Sequence, residues 1–282
     1  MTADELDSGL YLVATPIGHA SDISLRALKV LAGADLIAAE DTRVSAKLLA
    51  IHGIQKSLTP YNDHNAANVR PGLIAKLKAG GRIALISDAG TPLVSDPGFK
   101  LVRAALEEDV PVHAVPGASA VLTGLMLSGL PSDRFLFAGF LSAKDGERKS
   151  ALEELKGLRA TLIFFESAQR LAESLAAMKD VLGQRTAVVA REMTKLHEEV
   201  RRGSLDELAA YYAGVNAPKG EVTLLVSPPH KAEADFGKVD AALDAALPFM
   251  PLKAASEMIA ELLDMPRKEI YARGLEKKNA GS

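Results

Sequence analysis

Short apolar runs alternate with longer segments of helical periodicity from the start of the chain: LYLVA, SDISLRALKVLAG, DLIAAE, RVSAKLLAIHG and, after a polar loop, LIAKLKAGG and RIALIS. Strand-sized runs separated by amphipathic segments predict a largely parallel sheet covered by helices. Helix punctuation agrees, with Asp22 placed to cap the first helix and Gly33, Gly53 and Gly80 standing where helices should stop. GFKLVRAALEED and VPVHAV continue the rhythm, and ASAVLTGLMLSGL is apolar nearly all round. Such a helix is expected between layers or at a subunit interface.

Beyond residue 130 the texture changes, because RFLFAGFL, TLIFFES, TAVVARE, EVRRG and EVTLLVS are strands at closer spacing, interleaved with helices such as AQRLAESLAAMKDVLG. A second α/β domain with a mixed sheet is expected, and Ser204 and Glu207 stand at capping-box spacing within it. SPPHKAEADFG reads as a linker. It is followed by two helices, PLKAASEMIAELL and RKEIYARGLEK, with a tight turn between them, a helix-turn-helix shape. The expected organisation is an N-terminal α/β domain over 1–115, a second α/β domain over 116–230 and a small helical domain over 240–282.

Composition narrows this picture. A chain of 282 residues with 48% hydrophobic and 24% charged residues is long for one core and suits a soluble globular protein. The absence of cysteine removes disulfides, thiolate metal sites and thiol nucleophiles, and fits a reducing cytoplasmic compartment. MTADELDSGL lacks the basic and apolar regions of a signal peptide, and no apolar run is long enough for a membrane helix. A net charge of −3 argues against bulk electrostatic coating of nucleic acid while leaving room for a local basic groove. The six histidines lack ligand spacing, so no metal site is expected.

There is no P-loop, no GxGxxG opening a helix and no GxSxG elbow. Four loops carry the polar residues. ATPIGHASDIS brackets bare backbone between Pro16 and Gly18, either a plain turn or a place where a ligand meets the peptide groups. AAEDTR gathers Glu40, Asp41 and Arg43 at a parallel strand's carboxyl end, the edge where open α/β sheets bind ligands; Asp41 also suits a helix cap, with Glu40 and Arg43 a surface pair. YNDHN offers Tyr61, Asn62, Asp63, His64 and Asn65 to a polar substrate, with Tyr61 or His64 able to stack on a base, or serves as an ordinary helix entry. In LISDAGTPLVSDPG, Asp96 and Pro97 suit a helix cap and first turn, whereas DAGTP follows a strand with backbone free to bind something small. FFES, ARE and KGE place further charges at strand ends, consistent with a cleft between two domains.

TPIG…SDI, LIAAEDTR, ISDAGTPLVSDPG, VPGASA, SGLPSDRFLFAGFL, TLIFFES and KGEVTLLV, in this order, resemble the bacterial 16S rRNA (cytidine-2′-O)-methyltransferases of the tetrapyrrole methylase superfamily over about residues 9 to 278. The resemblance implies two α/β domains with S-adenosylmethionine in the cleft between them, a small C-terminal helical domain and a homodimer. It implies methylation of a cytidine ribose in 16S rRNA near the decoding centre, on naked rRNA or the small ribosomal subunit. By position it assigns Pro16, Ile17, Gly90, Thr91, Val94, Pro116, Gly117, Ser119, Phe165, Ala190 and Gly220 to the cofactor. Thr91 stands where tetrapyrrole-modifying relatives carry Asp; Ala14, His19 and Ala20 also depart from the usual first motif. Phe165 and Gln169 replace an expected Tyr and His, so neither receives a proton-transfer role.

In-line methyl transfer to a hydroxyl needs alignment and a proton acceptor. Acceptors that could face the cleft are Glu40, Asp41, Asp63, His64, Asp88, Glu166, Glu192 and Lys195, and the residue types alone do not choose among them. Arg43, Arg134, Arg170, Arg191 and Lys195 are the cations expected to contact RNA phosphates, each with surface ion pairing as its alternative. Competing readings are a methyltransferase of a small precorrin-type tetrapyrrole and a non-catalytic RNA-binding ribosome assembly factor.

Overall fold

The computed structural model describes residues 6–229, 236–263 and 265–280. The chain forms two compact units, Met1–Pro228 and Pro229–Ser282.

The first unit opens with five strands, β1 (Gly9–Val13), β2 (Leu36–Ala39), β3 (Leu58–Pro60), β4 (Arg82–Ile86) and β5 (Val112–Val115), in the order β3-β2-β4-β1-β5 with every pair parallel. The crossovers are α1 (Leu25–Gly33), α2 (Thr42–Ile51), α3 (Ala66–Lys78) and α4 (Phe99–Glu107). Alternation along β4 shows why the strand is apolar throughout. Ala84 and Ile86 join one core with Val13, Leu31 and Ile37, while Ile83 and Leu85 join another with Leu10, Leu73 and Leu101. With helices on both faces, all strands end their carboxyl edges on the same side.

The second sheet contains β6 (Phe135–Phe140), β7 (Thr161–Ser167), β8 (Thr186–Arg191), β9 (Glu199–Ser204) and β10 (Glu221–Val226), ordered β6-β7-β10-β8-β9. Only β6 and β7 are parallel; β10 runs antiparallel to both β7 and β8, and β9 is antiparallel to β8. The helices α6 (Asp145–Leu155), α7 (Leu171–Leu182) and α8 (Leu205–Ala213) cover one face through Leu152, Leu175, Met178 and Leu208. The other face packs on α5 (Ala120–Ser128) and on Ile17 of the loop after β1. Ser204 and Glu207 form the expected capping box.

Several local expectations need correction. Ser24, not Asp22, caps α1, its hydroxyl accepting from the Ala27 amide at 3.0 Å. Ile23 must reach the core first; it shares a cluster with Leu28, a hydrophobic staple that fixes the entry one turn later, and Asp22 lies in a 3₁₀ turn over Ala20–Asp22. The helix predicted from LIAKLKAGG begins earlier, at Ala66, and runs through Pro71, which cannot supply an amide to the preceding turn. α4 starts at Phe99 behind Gly98, whose φ of 138° suits glycine, so Asp96 and Pro97 lie outside the helix they were expected to open. α5 is not covered all round within this chain: Leu122 and Met126 are 50% and 78% exposed.

The second unit holds three helices among its described residues, α9 (Phe236–Ala246), α10 (Leu252–Leu263) and α11 (Arg267–Ala280), rather than two. Val239, Leu243 and Ala246 at helical spacing put α9 on a core with Leu252, Ala255, Ile259 and Ile270. Most of the segment read as a linker lies outside the described residues, and its last two residues open α9. Arg273 makes a two-pronged bond to Asp240, at 2.9 and 2.7 Å. No helix among the described residues is long and apolar enough to cross a membrane.

Candidate active site

Loops at the carboxyl edge of the parallel sheet build the site, and short bonds lock them together. Thr15 and Gly90 exchange backbone hydrogen bonds of 2.9 and 3.0 Å, joining the loop after β1 to the loop after β4. The Thr15 hydroxyl donates to the Ser87 carbonyl at 3.2 Å, and the Thr91 hydroxyl to the Ala118 carbonyl at 3.1 Å, which ties in the loop before α5. The β4 loop turns through left-handed backbone at Gly90, Leu93, Ser95 and Gly98, with φ of 80°, 72°, 65° and 138°. At Leu93 and Ser95 that conformation costs roughly 1–3 kcal/mol each, which the surrounding packing must hold.

The turns open a cavity of about 800 Å³. One wall is Ile17, Glu40, Asp88 and the loop through Thr91, Val94 and Asp96; the other includes Phe165, Met193, Lys219, Gly220 and Thr223. Phe165 is fixed edge-on against Phe137 and Phe140, with ring centres 4.7 and 5.6 Å away.

Carboxylates occur on both walls in opposite circumstances. Among the described residues Glu40, Asp88 and Asp96 have no ion-pair partner. Burial raises the Glu40 carboxyl above its usual range, and Asp96 and Asp88 add to the rise. Burial also raises Asp88, against the opposing bond from the Asp41 amide, 2.9 Å away. Asp96 is pushed up to about 6 by burial, with the Ser87 hydroxyl pulling down and Asp88 pushing further up. Across the cavity Glu166 has a side chain only 1% exposed and is fully engaged, by Arg170 at 2.7 Å, the Ser174 hydroxyl at 2.5 Å and the Ser167 amide at 2.7 Å. Glu192 and Glu221 hold Lys195 at 2.8 and 2.7 Å. Burial opposes the charge on Lys195, but these two carboxylates outweigh it and hold its pKa above normal.

Residues 9–209 match the family model described as Tetrapyrrole (Corrin/Porphyrin) Methylases. The chain belongs to the tetrapyrrole methylases. Residues 233–278 match a model described as the RsmI C-terminal HTH domain. A Mesorhizobium japonicum protein named Ribosomal RNA small subunit methyltransferase I is 50% identical over 278 residues, covering 98% of this chain and 95% of that one. A protein of the same name from Escherichia coli O157:H7 is 43% identical, covering 98% of each. Among solved structures, a diphthine synthase superposes with a TM-score of 0.62 at 18% identity, covering 77% of this chain and 89% of its own. A Thermus thermophilus uroporphyrin-III C-methyl transferase complexed with S-adenyl homocysteine gives 0.56 at 20% identity, covering 77% and 96%. Both likenesses show the same fold.

In this tetrapyrrole methylase Ile17, Gly90, Thr91, Val94, Ser119, Phe165 and Gly220 line the cavity. Pro16, Pro116, Gly117 and Ala190 are not in its lining: Pro16 and Ala190 are buried, and Pro116 and Gly117 lie exposed before α5. Glu40 and Asp88 line it with their carboxyls unpaired, whereas Glu166 lines it with its carboxylate turned into bonds. Asp41, Asp63, His64, Glu192 and Lys195 are absent from the lining. Asp41 caps α2 and grips Arg43 at 2.6 Å, so Arg43 pairs with Asp41 rather than with Glu40. In YNDHN the Asn side chains satisfy the local backbone, Asp63 and His64 point to solvent, and Tyr61, 1% exposed, belongs to the core and cannot stack on a base.

Of the expected phosphate-binding cations, Arg170 is held by Glu166 and the Leu141 carbonyl, Arg191 by Glu199 and the Lys219 carbonyl, and Lys195 by its two glutamates. Arg43 keeps a side chain 87% exposed, and Arg134 is exposed. Sequence reasoning missed Asp96 and Thr223 as site residues, and reached Lys219 only through KGE, as a strand-end charge. Asp96 was hidden by its resemblance to a helix cap. Thr223 did leave a signal, as the polar residue interrupting an apolar strand. Among the described residues no three His, Asp or Glu side chains are grouped to hold a metal ion.

Proposed function

We propose that this chain transfers a methyl group from S-adenosylmethionine to the ribose 2′-hydroxyl of a cytidine in 16S rRNA. The observation that carries this reading is end-to-end likeness to proteins named for small-subunit rRNA methylation, joined to a cavity whose walls suit that chemistry. At about 800 Å³ the cavity lies within the roughly 300–1,000 Å³ of small-molecule sites. A Cβ on Gly90 would come within 3.3 Å of Ile17, so this turn keeps its backbone bare beside the cavity. Ile17, Val94, Phe165 and Met193 offer apolar surface to a base or thioether chain, and the Thr91 and Thr223 hydroxyls, Ser119 and the Gly90 and Gly220 backbone offer polar contacts.

S-adenosylmethionine, when bound, supplies a methyl group activated by the sulfonium. The chain aligns the hydroxyl, excludes water and receives the proton; alignment alone is worth on the order of 7–11 kcal/mol. The unpaired carboxylates of the first wall suit the proton, and Lys219 on the rim with exposed Arg43 and Arg134 suits the RNA backbone. Homodimerisation through the exposed Leu122 and Met126 of α5, and action in the cytoplasm on the rRNA or the small subunit, complete the reading.

Incubation with methyl-labelled S-adenosylmethionine and unmodified small subunits or naked 16S rRNA tests it, with the labelled nucleotide mapped afterwards. Label on a cytidine ribose is expected. Label on no RNA, or only on a base, overturns it.

A further inference from the structure

We propose, building on the methyl-transfer reading, that Asp96 is the group that accepts the ribose hydroxyl proton, presented to the cavity by the left-handed turn at Ser95. Six charged side chains line the cavity: Glu40, Asp88, Asp96, Glu166, Lys219 and Glu221. Glu166 is engaged by Arg170 and Ser174, Glu221 by Lys195, and Lys219 is a cation. Asp88 accepts the Asp41 backbone amide at 2.9 Å, which fixes it as a strut between the loops after β2 and β4, whereas the bond that Asp96 accepts comes from the rotatable Ser87 hydroxyl. Glu40, drawn toward the Asp88 amide, and Asp96 remain.

Backbone geometry distinguishes them. Along an extended chain consecutive side chains point to opposite sides, yet Val94, Ser95 and Asp96 all line this cavity. The φ of 65° at Ser95 makes that possible, and Pro97 restricts the backbone of Asp96 from the other side. Asp96 is thus a short carboxylate on a doubly constrained segment, whereas Glu40 sits on a longer, less restricted side chain at the end of β2. The strain at Ser95 has a use under this assignment: relaxing it would turn one of the three side chains away.

The surroundings suit the task. Asp96 meets Glu40 and Asp88 from the ends of β2 and β4, with the Asp41–Arg43 pair beyond Asp88; Glu166 with Arg170, Lys219 and Glu221 with Lys195 stand on the opposite wall. A carboxyl pushed up to about 6 is still ionised at neutral pH and takes a proton more readily than an ordinary aspartate. In the step, a lone pair of the 2′-oxygen forms the O–CH₃ bond as the C–S pair returns to sulfur. The hydroxyl proton passes to a carboxylate oxygen of Asp96, which later releases it to water.

The test combines three readouts on the full chain. Carbon-13 NMR of the aspartate carboxyls in the ligand-free protein should show one titration near pH 6 that is absent from Asp96→Asn and moves to lower pH in Asp88→Asn, which removes the neighbouring charge that pushes Asp96 up. Calorimetry should find S-adenosylmethionine binding by Asp96→Asn within about threefold of wild type. Single-turnover methylation of RNA at saturating S-adenosylmethionine should fall at least about 100-fold in Asp96→Asn, a typical contribution of a positioned base. Activity within threefold of wild type, no carboxyl titrating near 6, or loss of S-adenosylmethionine binding by a folded Asp96→Asn each overturns the assignment, the last by making Asp96 a cofactor ligand. If Asp96→Asn does not fold, Asp88→Asn decides: the acid limb of its rate profile must move down with the Asp96 carboxyl midpoint, and an unmoved limb overturns the proposal. Wild-type protein that methylates no RNA would instead remove the underlying reading, an outcome distinct from failure of the variant alone.

Discussion

The two walls of the cavity carry the same kind of side chain and treat it in opposite ways. On the second wall Glu166 and Glu221 each meet a cation; on the first, Glu40, Asp88 and Asp96 meet one another and no ion-pair partner among the described residues. A carboxylate that is paired and hydrogen-bonded is a structural part whose charge is fixed. One that is half-buried among like charges binds a proton more readily and remains available for chemistry. Residue type did not separate the two groups; their partners did.

The largest expected effect breaks the paired wall. Arg170→Ala leaves the buried Glu166 carboxylate without its cation, and should cost about 3–5 kcal/mol in chemical denaturation; a loss below 1 kcal/mol would mean that Ser174 and the Ser167 amide suffice. Next, Thr91→Arg puts a long cation into the space beside Gly90 and removes the hydroxyl bond to Ala118. S-adenosylmethionine affinity should fall by at least 100-fold, about 2.7 kcal/mol, with the far-ultraviolet circular dichroism unchanged; retained affinity would take Thr91 out of the site.

The unpaired wall should respond with the opposite sign. The folded Asp96 carboxyl has its pKa raised from 3.8 to about 6, so its charge burdens the fold fully above pH 6, and the burden disappears below about pH 4. Asp96→Asn should therefore raise the melting temperature at pH 8 and not at pH 4. Partial exposure discounts the gain to on the order of 1 kcal/mol, or about 2–4 °C, and a fall at pH 8 would contradict it. Smallest is Lys195→Ala, which deletes two ion pairs of a part-exposed side chain and should cost less than about 1 kcal/mol, shrinking further in added salt.

The parallel sheet was legible because strands buried on both faces stay apolar residue after residue, as in Ile83 to Ile86, and because glycines mark helix ends. Gly90, Thr91 and Val94 were legible as cavity residues through motif likeness combined with their place after a strand. Asp96 was not, since Ser-Asp-Pro-Gly satisfies the local rules for a helix start and only packing reveals that α4 waits for Gly98. Nor could local pattern tell that Glu166 is spent on Arg170 and Ser174, because that depends on which way β7 faces. Helix α9 was missed for a simpler reason: a polar, proline-bearing stretch before it drew attention from the spacing of Val239, Leu243 and Ala246.

Strand order in the second sheet has a consequence for synthesis. β10 is the last of the ten strands to be made, yet it lies between β7 and β8 and bonds to both. Until Val226 has emerged from the ribosome, β7 and β8 have no way to join, and each keeps an open edge able to pair with another chain. At about 5–20 residues per second the wait after β8 lasts a few seconds. The first sheet, complete by Val115, can form well before that, so the nascent chain carries a finished half-site beside an unfinished one.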